Sequence, residues 1–353
     1  DFADVAPGMG EGKITLEEAS ERFFTLHSPE ELAQDKSFIN FAPSMLKALA
    51  DSDRFKDAYI LNYVNDTDIS REIQFSAIEI DTSDGATFIS FRGTDDTIIG
   101  WKEDFNLSFM TVPAEDEAVS YLKKVADGKN NTVRIGGHSK GGHLAVYSAA
   151  LADDKLNSRI ESIYNFDGPG FNRDATESEN FRKIQGRIVK MIPESSIVGR
   201  LLFNATEPVI VRSNETGIMQ HNPLSWQLEG KEFETRDFTD KISDLFDETM
   251  TKWLDEMSFE ERKVFVDELF SVFEASGCEN LSMLTKVGVK GTRAMIGRMK
   301  EIKNDSGEKV RTLMKMFFVN INVLKDSVVK ERLEESPIKL GIAANISKKN
   351  GKQ

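Results

Sequence analysis

Apolar and polar side chains roughly alternate from Phe75 to Ile80 and again from Ala86 to Phe91, with the turn-forming run Asp81-Thr82-Ser83-Asp84-Gly85 between them. A period of two fits a pleated strand with one buried face, so this stretch predicts a β-hairpin. The period then lengthens. Apolar residues recur at helical spacing over about 114–125, a β-rich run covers 132–136, and a helical pattern follows over 141–152. Further strand-like runs cover 159–166, 187–192 and 207–212. Such alternation predicts an α/β fold with a mostly parallel sheet flanked by helices, because parallel neighbours need a crossover element between them. Upstream, Leu16–Phe24 and Pro43–Leu49 have helical spacing within an otherwise mixed segment of residues 1–70.

Beyond about residue 230 the strand signals stop. Ile242, Leu245, Phe246, Met250, Trp253 and Leu254 recur as one helical face. Ser258 followed three residues later by Glu261 has the form of a capping box and opens a second helix through Phe265, Leu269 and Phe273, ending at Gly277. A third helix is expected through Val310, Leu313, Met314, Phe317, Ile321, Leu324 and Val328. The expected organisation is therefore a core over 1–230 with its motifs in 72–226, a C-terminal helical region over 231–336, and a flexible tail over 337–353.

Charge adds a boundary of its own near residue 285. Residues 286–353 carry 16 Lys and Arg against 7 Asp and Glu, a net of +9, and the preceding 285 carry 29 against 52, a net of −23. Lys309, Arg311, Lys315 and Lys325 beside the Met/Phe stripe of the third helix suggest peripheral contact with an anionic membrane. The competing reading is ordinary core contact, the usual meaning of an apolar stripe at i, i+3 and i+4. The overall net charge of −14 argues against nucleic-acid binding by the chain as a whole. No apolar run approaches the ~18 residues of a membrane-spanning helix. A lone cysteine, Cys278, excludes an intramolecular disulfide and a cysteine zinc cage. No ligand cluster for a metal or organic cofactor is visible, and the glycine run Gly8–Gly12 lacks both a preceding strand and the Gly-Lys-Ser/Thr that a phosphate loop needs. A cytoplasmic location is expected, and secretion stays open because a chain that begins at Asp1 rather than Met is read as processed or trimmed.

The chemistry concentrates in Gly137-His138-Ser139-Lys140-Gly141, a G-x-S-x-G run with a strand before it and a helix rich in small residues after it. That layout forces a sharp strand-to-helix turn that points the serine hydroxyl outward. It also aims the helix's first N–H groups at a developing oxyanion. A serine nucleophile needs a base. Of four histidines, His138 lies within the turn, His143 one helical turn beyond it, and His27 before the sheet, which leaves His221 after the last strand. The loop Arg92-Gly93-Thr94 ends an early strand, so the Thr94 and Lys140 backbone N–H groups are the expected oxyanion donors.

The runs FRGTDDTIIGWKEDF (residues 91–105) and IGGHSKGGHLAVYSA (135–149) resemble the class 3 lipases, with Trp101 and Asp104 matching that family's Trp–Asp pair. GHSKGGHLAVY, NFDGPGF, IPESSIVGRLL and QHNPLSW are more closely similar to the Mbeg-like family of bacterial α/β-hydrolase relatives, over roughly residues 70–230 and again in the helical C-terminal region. The resemblance implies an α/β-hydrolase fold and a lipase- or esterase-like serine hydrolase with a Ser–acid–His triad, acting on a small-molecule or lipid acyl ester without a cofactor. Two carboxylates at strand ends compete as the acid. Glu194 is favoured because the acid of such lipases usually lies one strand further from the nucleophile. Asp167 is the alternative, with turn chemistry before Gly-Pro as its simpler explanation. Leu201, Leu202 and Phe203 are candidates for an acyl pocket or for ordinary core. The rival function is a catalytically inactive binding or membrane-surface protein on the same fold.

Overall fold

The computed structural model describes residues 4–34, 41–68, 73–94, 98–107, 112–204, 206–280, 283–284, 287–303 and 305–320. Its strands are β1 (Lys13–Thr15), β2 (Tyr59–Asp68), β3 (Ile73–Asp81), β4 (Thr87–Phe91), β5 (Val133–His138), β6 (Ile160–Phe166), β7 (Ile188–Pro193) and β8 (Val209–Val211). Three short ones follow: β9 (Leu228–Glu229), β10 (Glu232–Phe233) and β11 (Thr235–Arg236). β9 and β10 pair as a separate hairpin, and the rest form one sheet in the order β1-β2-β3-β4-β5-β6-β7-β8-β11.

The sheet is mixed. β4 through β8 run parallel, while β1 to β4 and the β8–β11 edge pair antiparallel. A mostly parallel sheet therefore describes the centre and fails at both edges. The helices before the C-terminal region are α1 (Leu16–Leu26), α2 (Pro29–Leu32), α3 (Ala42–Ala50), α4 (Ile98–Leu107), α5 (Pro113–Ala126), α6 (Lys140–Ala150), α7 (Asp154–Asn157), α8 (Arg173–Thr176) and α9 (Glu179–Ile184). The alternation along β3 sorts its side chains between two cores. Phe75 and Ala77 join Leu122 of α5 and Leu144 of α6, whereas Ile78 joins Phe23 of α1 and Leu46 of α3. Both faces of the sheet are thus covered at this end, as an α/β arrangement requires.

Strands continue past residue 230 in β10 and β11, and the chain is helical from Lys241 on, in α10 (Lys241–Glu256), α11 (Phe259–Glu274), α12 (Val289–Glu301) and α13 (Asp305–Asn320). The Ser258 side chain accepts from the Glu261 N–H at 3.3 Å and the Glu261 carboxylate accepts from the Ser258 N–H at 2.8 Å, which completes the capping box. Phe246, Phe265, Phe270, Val310 and Met314 form a third core with Ile98 and Trp101 of α4 and with Ile197, Val198, Leu201 and Leu202 after β7. The Ile98 N–H also donates to the Glu279 carbonyl at 2.9 Å, tying α4 to this layer. Leu201 and Leu202 are therefore core rather than pocket wall, and Val310, Leu313 and Met314 of the expected membrane stripe are buried. The expected positions Ile321, Leu324, Lys325 and Val328, and the tail 337–353, lie outside the described residues. Among the described residues no helix is long and apolar enough to cross a membrane.

Candidate active site

Each expected site residue sits at or beyond the C-terminal end of a central strand, where an α/β sheet opens its crevice. Gly93 and Thr94 follow β4, Ser139 follows β5, Asp167 follows β6, Glu194 follows β7, and His221 closes a 3₁₀ turn at Gly217–His221 beyond β8. Ser139 caps α6 with φ 57° and ψ −131°. For a residue with a Cβ this backbone costs on the order of 1–3 kcal/mol, so the surroundings must hold it. They do so through the main chain: the Ser139 N–H donates to the Phe166 carbonyl at 2.9 Å, and the Ser139 carbonyl accepts from the Gly142 N–H at 2.9 Å.

The flanking glycines are there for close approach. A Cβ on Gly141 would stand 2.1 Å from the Phe91 carbonyl oxygen, and one on Gly93 would stand 2.8 Å from the His138 carbonyl oxygen and 3.3 Å from the Ser139 Cβ. The Arg92-Gly93-Thr94 loop thus passes directly beside the serine. Gly141→Ala has no flexible neighbour to push aside, since the clash is with backbone. We expect it to destabilise the fold by on the order of 3 kcal/mol, read as a lower midpoint in chemical denaturation.

The carboxylate that reaches His221 is Asp167. Its Oδ2 accepts from His221 Nδ1 at 2.7 Å, and its Oδ1 accepts from Ser196 Oγ at 2.6 Å and the Gly199 N–H at 3.2 Å. Asp167 is 1% exposed and His221 5%. With Nδ1–H donating to the carboxylate, Nε2 is left with a free lone pair. Glu194 points elsewhere, its Oε1 accepting from Arg236 Nε at 2.9 Å on the half-exposed sheet edge. The preference for Glu194 therefore reverses. The physical reason lies in two backbone turns: Asp167 adopts φ 50° at the end of β6, and the loop after β7 brings Ser196 and Gly199 back over it while carrying Glu194 outward.

Three buried side chains brace the Asp167-Gly168-Pro169-Gly170 turn. Asn165 Oδ1 accepts from the Gly168 N–H at 2.8 Å. Lys190 Nζ donates to the Gly168 carbonyl at 2.7 Å. Burial pushes the Lys190 ammonium down to about 7, partly offset by the nearby Asp167 charge. His143 faces the Gly170 carbonyl with Nδ1 and Glu115 Oε1 with Nε2, each at 3.0 Å. Lys190 carries no sequence signal beyond being a charged residue inside an apolar run, and Glu115 reads only as one of three consecutive acidic residues near the start of a helix.

His138 does more than its place in the turn suggests. Burial, followed by the neighbouring His221 ring, holds its pKa well below the usual histidine range. The neutral ring donates Nε2–H to the His221 carbonyl at 2.7 Å and packs on the His221 ring with centroids 4.5 Å apart. Since His138 directly precedes Ser139, this contact brings the His221 ring to the serine turn. The Trp101 indole also meets His221 edge-on, with ring centroids 5.2 Å apart. Asp104, the other member of the Trp–Asp pair, has its side chain outside the described set. His27 lies apart from all of this, pairing with Asp4 at 3.1 Å and Glu31 at 3.3 Å. Among the described residues no group of three or more His, Cys, Asp or Glu side chains is placed to hold a metal ion.

No curated protein matches this chain. Two solved structures similar to it are Rhizomucor miehei lipase propeptide complexes. The native complex is 18% identical at a TM-score of 0.36, covering 44% of this chain and 57% of its own. A deletion mutant is 17% identical at a TM-score of 0.38, covering 69% and 75%. This chain therefore spans little more than half the length of the first. The model of the Mbeg1-like family matches residues 49–271, well over half of the sequence, and the chain belongs to the Mbeg1-like family.

Proposed function

We propose that the protein is a serine hydrolase of acyl esters with an α/β-hydrolase fold, using Ser139, His221 and Asp167 as its triad. The observation that carries this reading is the buried Asp167–His221 hydrogen bond beside a serine held at φ 57°. In this mechanism Ser139 Oγ attacks the ester carbonyl carbon as its proton passes to His221 Nε2. The carbonyl oxygen becomes an oxyanion held by the Thr94 and Lys140 backbone N–H groups, the second of them at the start of α6. Collapse of the tetrahedral intermediate breaks the C–O bond, and His221 returns the proton to the departing alcohol. Water, deprotonated by the same nitrogen, then hydrolyses the acyl-enzyme. Asp167 keeps the proton on Nδ1 and stabilises the cationic ring. His138 and Trp101 pack against that ring and help to hold its orientation.

A fluorophosphonate probe tests this directly, because it labels a serine only when a base activates it. We expect the wild-type chain to be labelled on the tryptic peptide containing Ser139. Failure to label, or a label on any other residue, rules the reading out. Turnover of p-nitrophenyl esters of increasing chain length then gives the acyl preference.

A further inference from the structure

Part of the +9 of residues 286–353 lies on α12, where Lys290, Arg293, Arg298 and Lys300 stand against Glu301. Val289, Arg293, Ile296 and Lys300 are spaced i, i+4, i+7 and i+11, which sets them in one stripe along the helix. All four are exposed, while Met295 on the opposite side is fully buried. Val289 is 76% exposed, Ile296 39%, and Met283 just before the helix 49%. Among the described residues the α12 cation paired with a carboxylate is Arg298, with Glu301 at 3.3 Å; Lys290, Arg293 and Lys300 make no such pair.

A solvated helix face normally carries mixed charges and few β-branched residues. Here aliphatic and basic residues alternate along one stripe. That pattern suits the boundary of an anionic bilayer, where the aliphatic groups sit among the upper acyl carbons and the long cationic side chains reach back to the phosphates. A mainly apolar cavity of about 510 Å³, lined by Gly277, Cys278, Met283, Val287, Gly291 and Ala294, lies on another side of α12 and includes none of the four stripe residues.

We propose that this face of α12 is a docking surface for an anionic phospholipid bilayer. The proposal does not depend on the chemistry of Ser139, and it places the membrane contact on α12 rather than on the α13 stripe, of which Val310, Leu313 and Met314 are buried in the core. Flotation of the full chain with phosphatidylcholine vesicles, with and without phosphatidylglycerol, tests it at low and high salt. We expect flotation with the anionic vesicles alone, weakening as salt screens the attraction. Arg293→Glu with Lys300→Glu should weaken binding roughly tenfold or more. Val289→Ser with Ile296→Ser should weaken it too, with an unchanged melting temperature because both positions are exposed. Equal binding to neutral vesicles, wild-type binding by the charge-reversed variant, or no vesicle binding at low salt, as for a face that docks protein, would overturn the proposal.

Discussion

Ser139→Ala should abolish ester turnover, with kcat falling on the order of 10⁶-fold. The loss is this large because the serine supplies the bond-forming atom, and neither the histidine nor the oxyanion donors can replace it. The residual rate would come from the donors and substrate binding alone. The variant should stay folded. The bonds that hold the turn run through the Ser139 N–H and carbonyl, and alanine retains both. Hydrolysis of a p-nitrophenyl ester, with a denaturation curve on the same sample, checks the two halves together. A folded Ser139→Ala protein with wild-type turnover would leave the site without a role in hydrolysis.

The strained serine turn and the histidine that meets a buried carboxylate are legible in the sequence because each is marked by a local constraint. Gly137 and Gly141 around Ser139 mark a sharp strand-to-helix turn, and three of the four histidines are set aside by their positions relative to it, within the turn, along its helix or before the sheet. The supporting side chains are another matter. His138 is dismissed by its adjacency to the serine, yet its ring swings to the His221 carbonyl, and that direction depends on a loop 83 residues away. Glu115 and His143 meet only because α5 and α6 pack side by side on the sheet.

Fold elements fail to read for similar reasons. β2 escapes notice because Asn62, at φ 53°, introduces a bulge between Leu61 and Val64 that breaks the alternation. α12 escapes because Gly291 and Gly297 weaken its propensity. It forms through tertiary contact, with Met295 buried in the C-terminal core. The segment Leu201–Phe203 reads equally well as pocket or core. Packing of α10 and α11 against it decides for core at Leu201 and Leu202, a contact no local pattern encodes.

The same long-range dependence sets the second large effect, which separates the two carboxylates. Asp167→Asn preserves size and leaves an acceptor oxygen for Ser196 Oγ and the Gly199 N–H, so the β6 turn should hold. The amide can no longer accept from His221 Nδ1 as a carboxylate does. It instead favours the tautomer that puts the proton on Nε2, where the lone pair is needed. A loss of about 10⁴ in kcat is expected, with little change in folding. Glu194→Gln removes only a half-exposed ion pair with Arg236, a contact of about 0–1 kcal/mol, and should leave turnover within about twofold of wild type. Steady-state kinetics on both purified variants, with circular dichroism to confirm folding, separates the assignments. Loss of turnover in Glu194→Gln with retention in Asp167→Asn would return the acid's role to Glu194 and leave the buried Asp167–His221 bond as a purely structural brace.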